Sequence, residues 1–305
     1  LHDPGFGRTA VVVNEFGEVP LDHTLIASSD DSILTLNTGC LCCAVQTDLA
    51  RTLLQLLERR AAGTADYDRV LIETSGLSDP APMLQAMMTD RDVTATHRIA
   101  AVVTLVDAVH GEPTLDAHPE ARHQVALADH LLVSKTDLRA PSDPLLRHLD
   151  RLNPAAPRGT PADAHPAMFF ATPSATLPQR VAALPRHPAH RGVETFTVIR
   201  DHPMPALALT LLLQALAEHC GPRLLRLKGL VAIAEMPGRP AVIHGVRHVV
   251  SPPEFLDRWP DGDHRTRIVF IGSDIPRHFV ARLLDAIEDE VRDAIAAPLP
   301  PDPLP

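Results

Sequence analysis

Val70-Leu71-Ile72-Glu73-Thr74-Ser75-Gly76-Leu77-Ser78-Asp79-Pro80 is a short apolar run that stops at an acid, passes through a glycine and meets a proline. Three other apolar runs in the first half of the chain are likewise followed at once by polar residues. Residues 10–13 lead into Asn14 and Glu15, residues 100–106 into Asp107, and residues 131–133 into Ser134 and Lys135. Short, β-branched runs without alternation suit strands that are buried on both faces, as in a parallel sheet. Between the first two lies a helical pattern over 44–60, where Val45, Leu49, Leu53, Leu56 and Leu57 make one apolar stripe. Alternating strands and helices predict a doubly wound, mostly parallel α/β sheet, closed by a fifth run at 168–171. In such sheets ligands bind beyond the carboxyl ends of the strands, which is where each of these polar groups falls.

The expected boundaries are a first domain over 1–176, a proline-bearing linker over 177–192, a second domain over 193–296 and a disordered tail over 297–305. In the second domain, strands are expected at 196–199, 224–234, 241–250 and 267–271, with helices at 205–219 and 276–295. That pattern describes a smaller α+β domain. The 305 residues suffice for two cores, and the 45% hydrophobic and 22% charged composition is that of a globular protein. No apolar run approaches the ~18 residues that span a bilayer, so neither a membrane partner nor a secretory route is expected and cytoplasmic residence is the default. The net charge of −10 argues against a nucleic-acid surface.

Only two lysines occur, Lys135 and Lys228, so arginine supplies all the other basic residues. A lysine kept against that bias marks a place where guanidinium does not serve, since the two cations differ in shape and hydration. Lys135 lies in Ser134-Lys135-Thr136-Asp137, directly after a strand. There a carboxylate can accept from both N1–H and the exocyclic amine of guanine while the lysine stem packs along the base. The same four residues also read as exposed loop charge. Glu73 can hold Mg²⁺ through water and orient an attacking water, and Gly76 would let backbone approach a γ-phosphate. Ser78 or Asp79 with Pro80 equally describes a helix cap, and both readings can hold at once. Glu15, in Asn14-Glu15-Phe16-Gly17-Glu18, can sense metal or nucleotide. Asp107 can do the same or only cap the turn after it.

Three of the four cysteines, Cys40, Cys42 and Cys43, fall within Gly39-Cys40-Leu41-Cys42-Cys43. Adjacent cysteines bridge only with strain, so metal ligation, redox chemistry and inert packing are the readings open to them. A place at the start of a helix favours thiolate, and thiolates select Zn(II), Cu(I) or iron–sulfur clusters. A closed zinc site needs four ligands, and this segment offers three at most. Cys220 stands alone and reads as core.

Taken together, these segments resemble the CobW-type metallochaperone GTPases, relatives of the urease and hydrogenase nickel-insertion GTPases. Val106-Asp107-Ala108 adds to the match in the first domain. In the second domain it is carried by Leu227-Lys228-Gly229, His244-Gly245-Val246, Trp259-Pro260 and Val269-Phe270-Ile271-Gly272.

The resemblance implies a P-loop NTPase-like sheet and GTP with Mg²⁺ as cofactors. It implies Glu73 and Gly76 at the hydrolytic centre, and Glu15, Asp107, Ser134, Lys135 and Asp137 around the nucleotide. Cys40, Cys42 and Cys43 would hold Zn²⁺ for delivery to a client metalloprotein, with hydrolysis gating release. Delivery of cobalt or iron, or a non-catalytic zinc-binding adaptor, are the alternatives. Two subunits could pool their cysteines around one metal.

The sequence departs from the family in three respects. It contains no Gly-x-x-Gly-x-Gly-Lys-Thr phosphate loop. Residues 1–8 read as the end of the helix after that loop, so the first strand, loop and first helix, roughly 30 residues, are expected to be absent and this stretch alone not to turn over GTP. Ser134 replaces the usual asparagine. His187, His190, His202, His244 and His248 are scattered rather than clustered, and none is singled out as a ligand.

Overall fold

In a computed structural model the described residues are 4–14, 33–35, 44–170, 193–221, 223–260 and 262–296. The chain divides into two compact units, Leu1–Thr172 and Pro173–Pro305. The proposed linker and tail, at 177–192 and 297–305, lie outside the described residues.

Unit 1 runs β1 (Thr9–Asn14), β2 (Ile33–Thr35), α1 (Ala44–Ala61), β3 (Arg69–Thr74), α2 (Pro80–Thr89), α3 (Arg91–Thr96), β4 (Val103–Asp107), α4 (Gly111–Ala117), α5 (Pro119–Leu127), β5 (His130–Ser134), α6 (Asp143–Leu152), β6 (Arg158–Gly159) and α7 (Pro166–Phe170). Its strands make two three-stranded sheets, ordered β2-β1-β3 and β4-β5-β6, with every ladder parallel. This corrects the expected single doubly wound sheet without a first strand. A strand stands at the head of the chain and takes the middle place of its sheet, with parallel neighbours on both sides. The residues before it form a 3-10 turn, Pro4–Phe6, not the end of an α-helix.

The middle place follows from β1's side chains. Ala10 and Val12 pack with Leu49, Leu53 and Leu56 of α1 and with Tyr67 and Val93, while Val11 and Val13, on the opposite face, are also buried. Each leucine so buried contributes about 1.5–3 kcal/mol.

The run at 168–171 is also corrected, since Met168–Phe170 close a short helix. Phe169 and Phe170 pack on Phe6 at ring separations of 5.5 and 5.8 Å, and the Arg69 guanidinium lies 4.5 Å over Phe170. These aromatic contacts outweigh the β-propensity of a four-residue run.

Asn153 ties α6 to the entry of β5. Its amide donates to the carbonyls of Val125 (2.8 Å), Ala126 (3.3 Å) and Ala128 (2.9 Å), and its side-chain oxygen accepts from Ala156 N–H (3.1 Å). A buried residue that serves four backbone groups is hard to replace by arginine or serine, which explains one of the chain's few asparagines.

Unit 2 comprises β7 (Glu194–Arg200), α8 (Ala206–Cys220), β8 (Leu224–Val231), β9 (Ala241–Val246), β10 (Val249–Val250), β11 (Glu254–Phe255), β12 (Thr266–Gly272) and α9 (Arg277–Ala296). The main sheet is antiparallel in the order β10-β9-β8-β12-β7, with β11 pairing β9. Phe196 and Phe270 stack at 5.1 Å in a core with Leu209, Leu212 and Leu216 of α8 and Val280 and Leu284 of α9. The run at 241–250 is not one strand. It folds back at Arg247, which takes a left-handed φ of 53°, so that β10 returns along β9. Among the described residues no helix is long and apolar enough to cross a membrane.

Candidate nucleotide site

Parallel register decides which motif ends stand side by side. In the first sheet Thr35 lies opposite Val13, and Val13 opposite Glu73. The exit of β2, which leads toward the cysteine segment, and the Glu73 turn therefore share one rim. They are separated by the width of two strand spacings, about 10 Å. In the second sheet Asp107 lies opposite Ser134, which brings the β4 acid beside the lysine loop.

The Asp107–Lys135 pair is the best-defined part of the site. Lys135 Nζ donates to Asp107 Oδ2 at 2.6 Å. Asp107 Oδ1 accepts from the backbone N–H of Val109 (2.6 Å) and His110 (3.1 Å). The acid thus caps its own turn, one of the two readings open from the sequence, and also holds the lysine. The Lys135 ammonium, helped by the two backbone donors, lowers the Asp107 carboxyl from 3.8 to about 2.

Lys135 itself has a φ of 57°, a left-handed conformation that costs a non-glycine residue about 1–2 kcal/mol. The loop offsets that cost locally, because Leu138 and Arg139 both donate to the Lys135 carbonyl (3.1 and 3.2 Å). Ser134 Oγ donates to the Val106 carbonyl at 3.4 Å, a long bond that braces the loop weakly. Asp137 is exposed at the tip of this loop, beside Leu138, which is 72% exposed.

By carbon-detected NMR titration, Asp107 should protonate near pH 2, and Lys135→Ala should move its midpoint up toward 3.8. Because its folded pKa is depressed, whatever stability Asp107 contributes is present above pH ~4 and is lost as pH falls toward 2. An unchanged midpoint in the variant would remove the ion pair from the account.

The Glu73 turn is built differently. Glu73 is exposed, and Ser75 organises the next residues by accepting from Leu77 N–H at its hydroxyl (3.3 Å) and from Ser78 N–H at its carbonyl (3.0 Å). Asp79 caps α2 by accepting from Ala81 N–H (3.0 Å), with Pro80 at the first helical position. A Cβ built on Gly76 would meet no atom within 4 Å. No contact among the described residues demands that glycine.

Glu15, Cys40, Cys42 and Cys43 lie outside the described residues. α1 does begin at Ala44, directly after Cys43. Among the described residues no group of three or more histidine, cysteine, aspartate and glutamate side chains is placed to hold a metal ion. Cys220 is buried in the unit 2 core and burial pushes its thiol pKa up, so it packs as a small apolar group. His202 Nε2 lies 3.2 Å from Oε2 of the buried Glu288. Two residues that the sequence did not single out, His123 and Gln124 on α5, touch the Glu73 turn. No spacing signal marks them, because their partners are a capping carboxylate and two backbone carbonyls.

Both units of the chain match known protein families. Residues 3–158 match the CobW/HypB/UreG nucleotide-binding domain, and residues 193–288 match the cobalamin synthesis protein cobW C-terminal domain. The chain is 31% identical to the zinc chaperone YjiA of Escherichia coli, over 95% of its own length and 89% of that protein. It is 29% identical to the zinc chaperone CobW of Pseudomonas aeruginosa, over 91% and 83% respectively. The crystal structure of Zn(II)-bound YjiA GTPase from E. coli superposes with a TM-score of 0.68 at 24% identity, covering 92% of this chain and 90% of that one, which shows a shared fold. The two family matches lie in the order of the two compact units, and the chain belongs to the CobW/HypB/UreG family, with a CobW-type C-terminal domain.

Proposed function

We propose that this protein is a GTP-dependent metallochaperone that takes Zn(II) at Cys40, Cys42 and Cys43 and hands it to a client metalloprotein. The observation that carries the reading is the row Thr35–Val13–Glu73, which puts the approach to the cysteine segment and the Glu73 turn on one rim. A γ-phosphate that orders the Glu73 turn can then preorganise the segment that follows β2. Asp137 reads the guanine edge, the Lys135 stem lies along the base, and Asp107 fixes that lysine. Ser134 braces the loop. Glu73 holds the Mg²⁺ shell or the attacking water, Gly76 leaves room for the γ-phosphate, and Glu15 senses metal or nucleotide from the neighbouring strand end.

Zinc is favoured over cobalt or iron by the thiolate set and by the zinc-chaperone relatives. GTP turnover is proposed for a protein that supplies a phosphate loop, since these 305 residues include no Gly-x-x-Gly-x-Gly-Lys-Thr run.

The test is zinc affinity by chelator competition, with and without Mg²⁺ and a non-hydrolysable GTP analogue. At least tenfold tightening with nucleotide is expected. Equal affinity under both conditions would leave a zinc-binding protein without a nucleotide gate.

A further inference from the structure

We propose that His123 and Gln124, consecutive residues of α5, are positioning residues that set the geometry of the Glu73–Gly76 turn; this rests on the reading of that turn as the sensor of the γ-phosphate. The side-chain amide of Gln124 donates to two carbonyls of the segment, Gly76 (3.0 Å) and Ser78 (2.9 Å). Those two bonds use both of its N–H groups. His123 Nδ1 lies 3.0 Å from Asp79 Oδ2, while Asp79 Oδ1 caps α2. One turn of α5 therefore grips the segment at Gly76, Ser78 and Asp79, just where it passes from the glycine into the next helix.

The grip is anchored from behind. Thr104 Oγ1, on β4, donates to the Gln124 carbonyl at 2.9 Å, and Asn153 holds the carbonyls of Val125, Ala126 and Ala128 at the end of α5. α5 is thereby fixed to the strand that ends in Asp107 and to the entry of the strand that ends in Ser134. The turn is positioned against the sheet that carries the guanine loop. Within the turn itself, Ser75 accepts from Leu77 and Ser78 N–H, while the carbonyls of Gly76 and Ser78 accept from Gln124. A Cβ at Gly76 would meet no atom within 4 Å, and its carbonyl is held by the hydrogen bond from Gln124.

Gln124→Glu tests this at constant volume, because an ionised carboxylate cannot donate and would face two carbonyl oxygens. Hydrogen exchange at the Leu77 and Ser78 amides is expected to speed up by about tenfold or more, from the net worth of two such bonds. Exchange in 131–133 should stay unchanged. Gln124→Ala gives the same readout without introducing a charge should the glutamate variant fold poorly. Unchanged exchange at Leu77 and Ser78 would overturn the grip.

A second arm compares affinity for a GTP analogue and for GDP by displacement of fluorescent GDP. The ratio should fall at least threefold in Gln124→Glu while GDP affinity holds, since the guanine loop is untouched. Faster exchange with an unaltered ratio would make Gln124 merely structural and sink the positioning role. A wild-type chain with no preference for the GTP analogue would instead sink the γ-phosphate reading, leaving the exchange result to judge the grip alone.

Discussion

Asp137→Asn is expected to lower affinity for GDP and GTP by about 10²–10⁴-fold and to raise affinity for the corresponding xanthine nucleotides. A carboxylate accepts from the N1–H and the exocyclic amine of guanine together. Hydrogen bonds to a charged group are worth about 1.5–3 kcal/mol each, so the pair supplies about 3–6 kcal/mol, which converts to that range. Asparagine keeps the shape and one acceptor but presents an N–H₂ where the second acceptor was. Against guanine that donor meets the exocyclic amine, and two donors then face each other. Xanthine carries a carbonyl at the same position and accepts from it. Asp137 is exposed, so the substitution leaves the core alone and the readout is recognition. Displacement of fluorescent GDP by guanine and xanthine nucleotides checks it. Retained guanine affinity, or a loss with no gain for xanthine, would mean that the loop after β5 does not read the base.

The strands of unit 1 were legible where both faces are buried. Val11, Val12 and Val13 can be read as a strand without knowing a neighbour, because a run of β-branched residues with no polar alternation has few other homes. The exits of β3, β4 and β5, and so the positions of Glu73, Asp107 and Lys135, followed from similar apolar runs, although β3 is only half-buried and Leu105 of β4 is exposed. The division of the strands into two sheets did not, since periodicity carries no information about ladders between distant strands. Met168–Phe170 were misread because four apolar residues fit a strand or a helix end equally well, and the choice rests on Phe6 and Arg69, distant in sequence. The reversal at Arg247 was missed for a similar reason: it uses a left-handed arginine where a glycine or asparagine would have announced it.

In the site, residue type announced the acids and the lysine but not their relations. Asp107 and Lys135 are 28 residues apart and meet only because β4 and β5 pair in register. His123 and Gln124 act on a capping carboxylate and on backbone carbonyls, and carbonyls look the same in every residue, so nothing in the segment they hold points back to them.

Replacing Cys42 and Cys43 together by alanine is expected to weaken zinc binding by about 10⁴-fold or more, and either alone by about 10²–10³-fold. Zinc binding at a four-ligand site is worth about 10–16 kcal/mol at neutral pH, so each ligand carries roughly 2.5–4 kcal/mol. The cysteines gain further from their place. α1 starts at Ala44, one residue past Cys43, and runs to Ala61, so the positive end of its dipole favours thiolate over thiol. Zinc affinity should accordingly rise with pH until the thiols are ionised, and binding should release protons. The change does not reach the helix's packing, which rests on Leu49, Leu53 and Leu56 one turn and more away. Stability of the metal-free protein should therefore be nearly unaltered while the metal is lost. Chelator competition gives the affinity, and Co(II) substitution gives an independent signature, because sulfur-to-metal charge-transfer absorption appears only with thiolate ligands. If the double variant keeps zinc affinity within threefold of the parent, or if Co(II) shows no such absorption, the metal sits elsewhere. The proposed GTP-coupled delivery would then lose its cargo site.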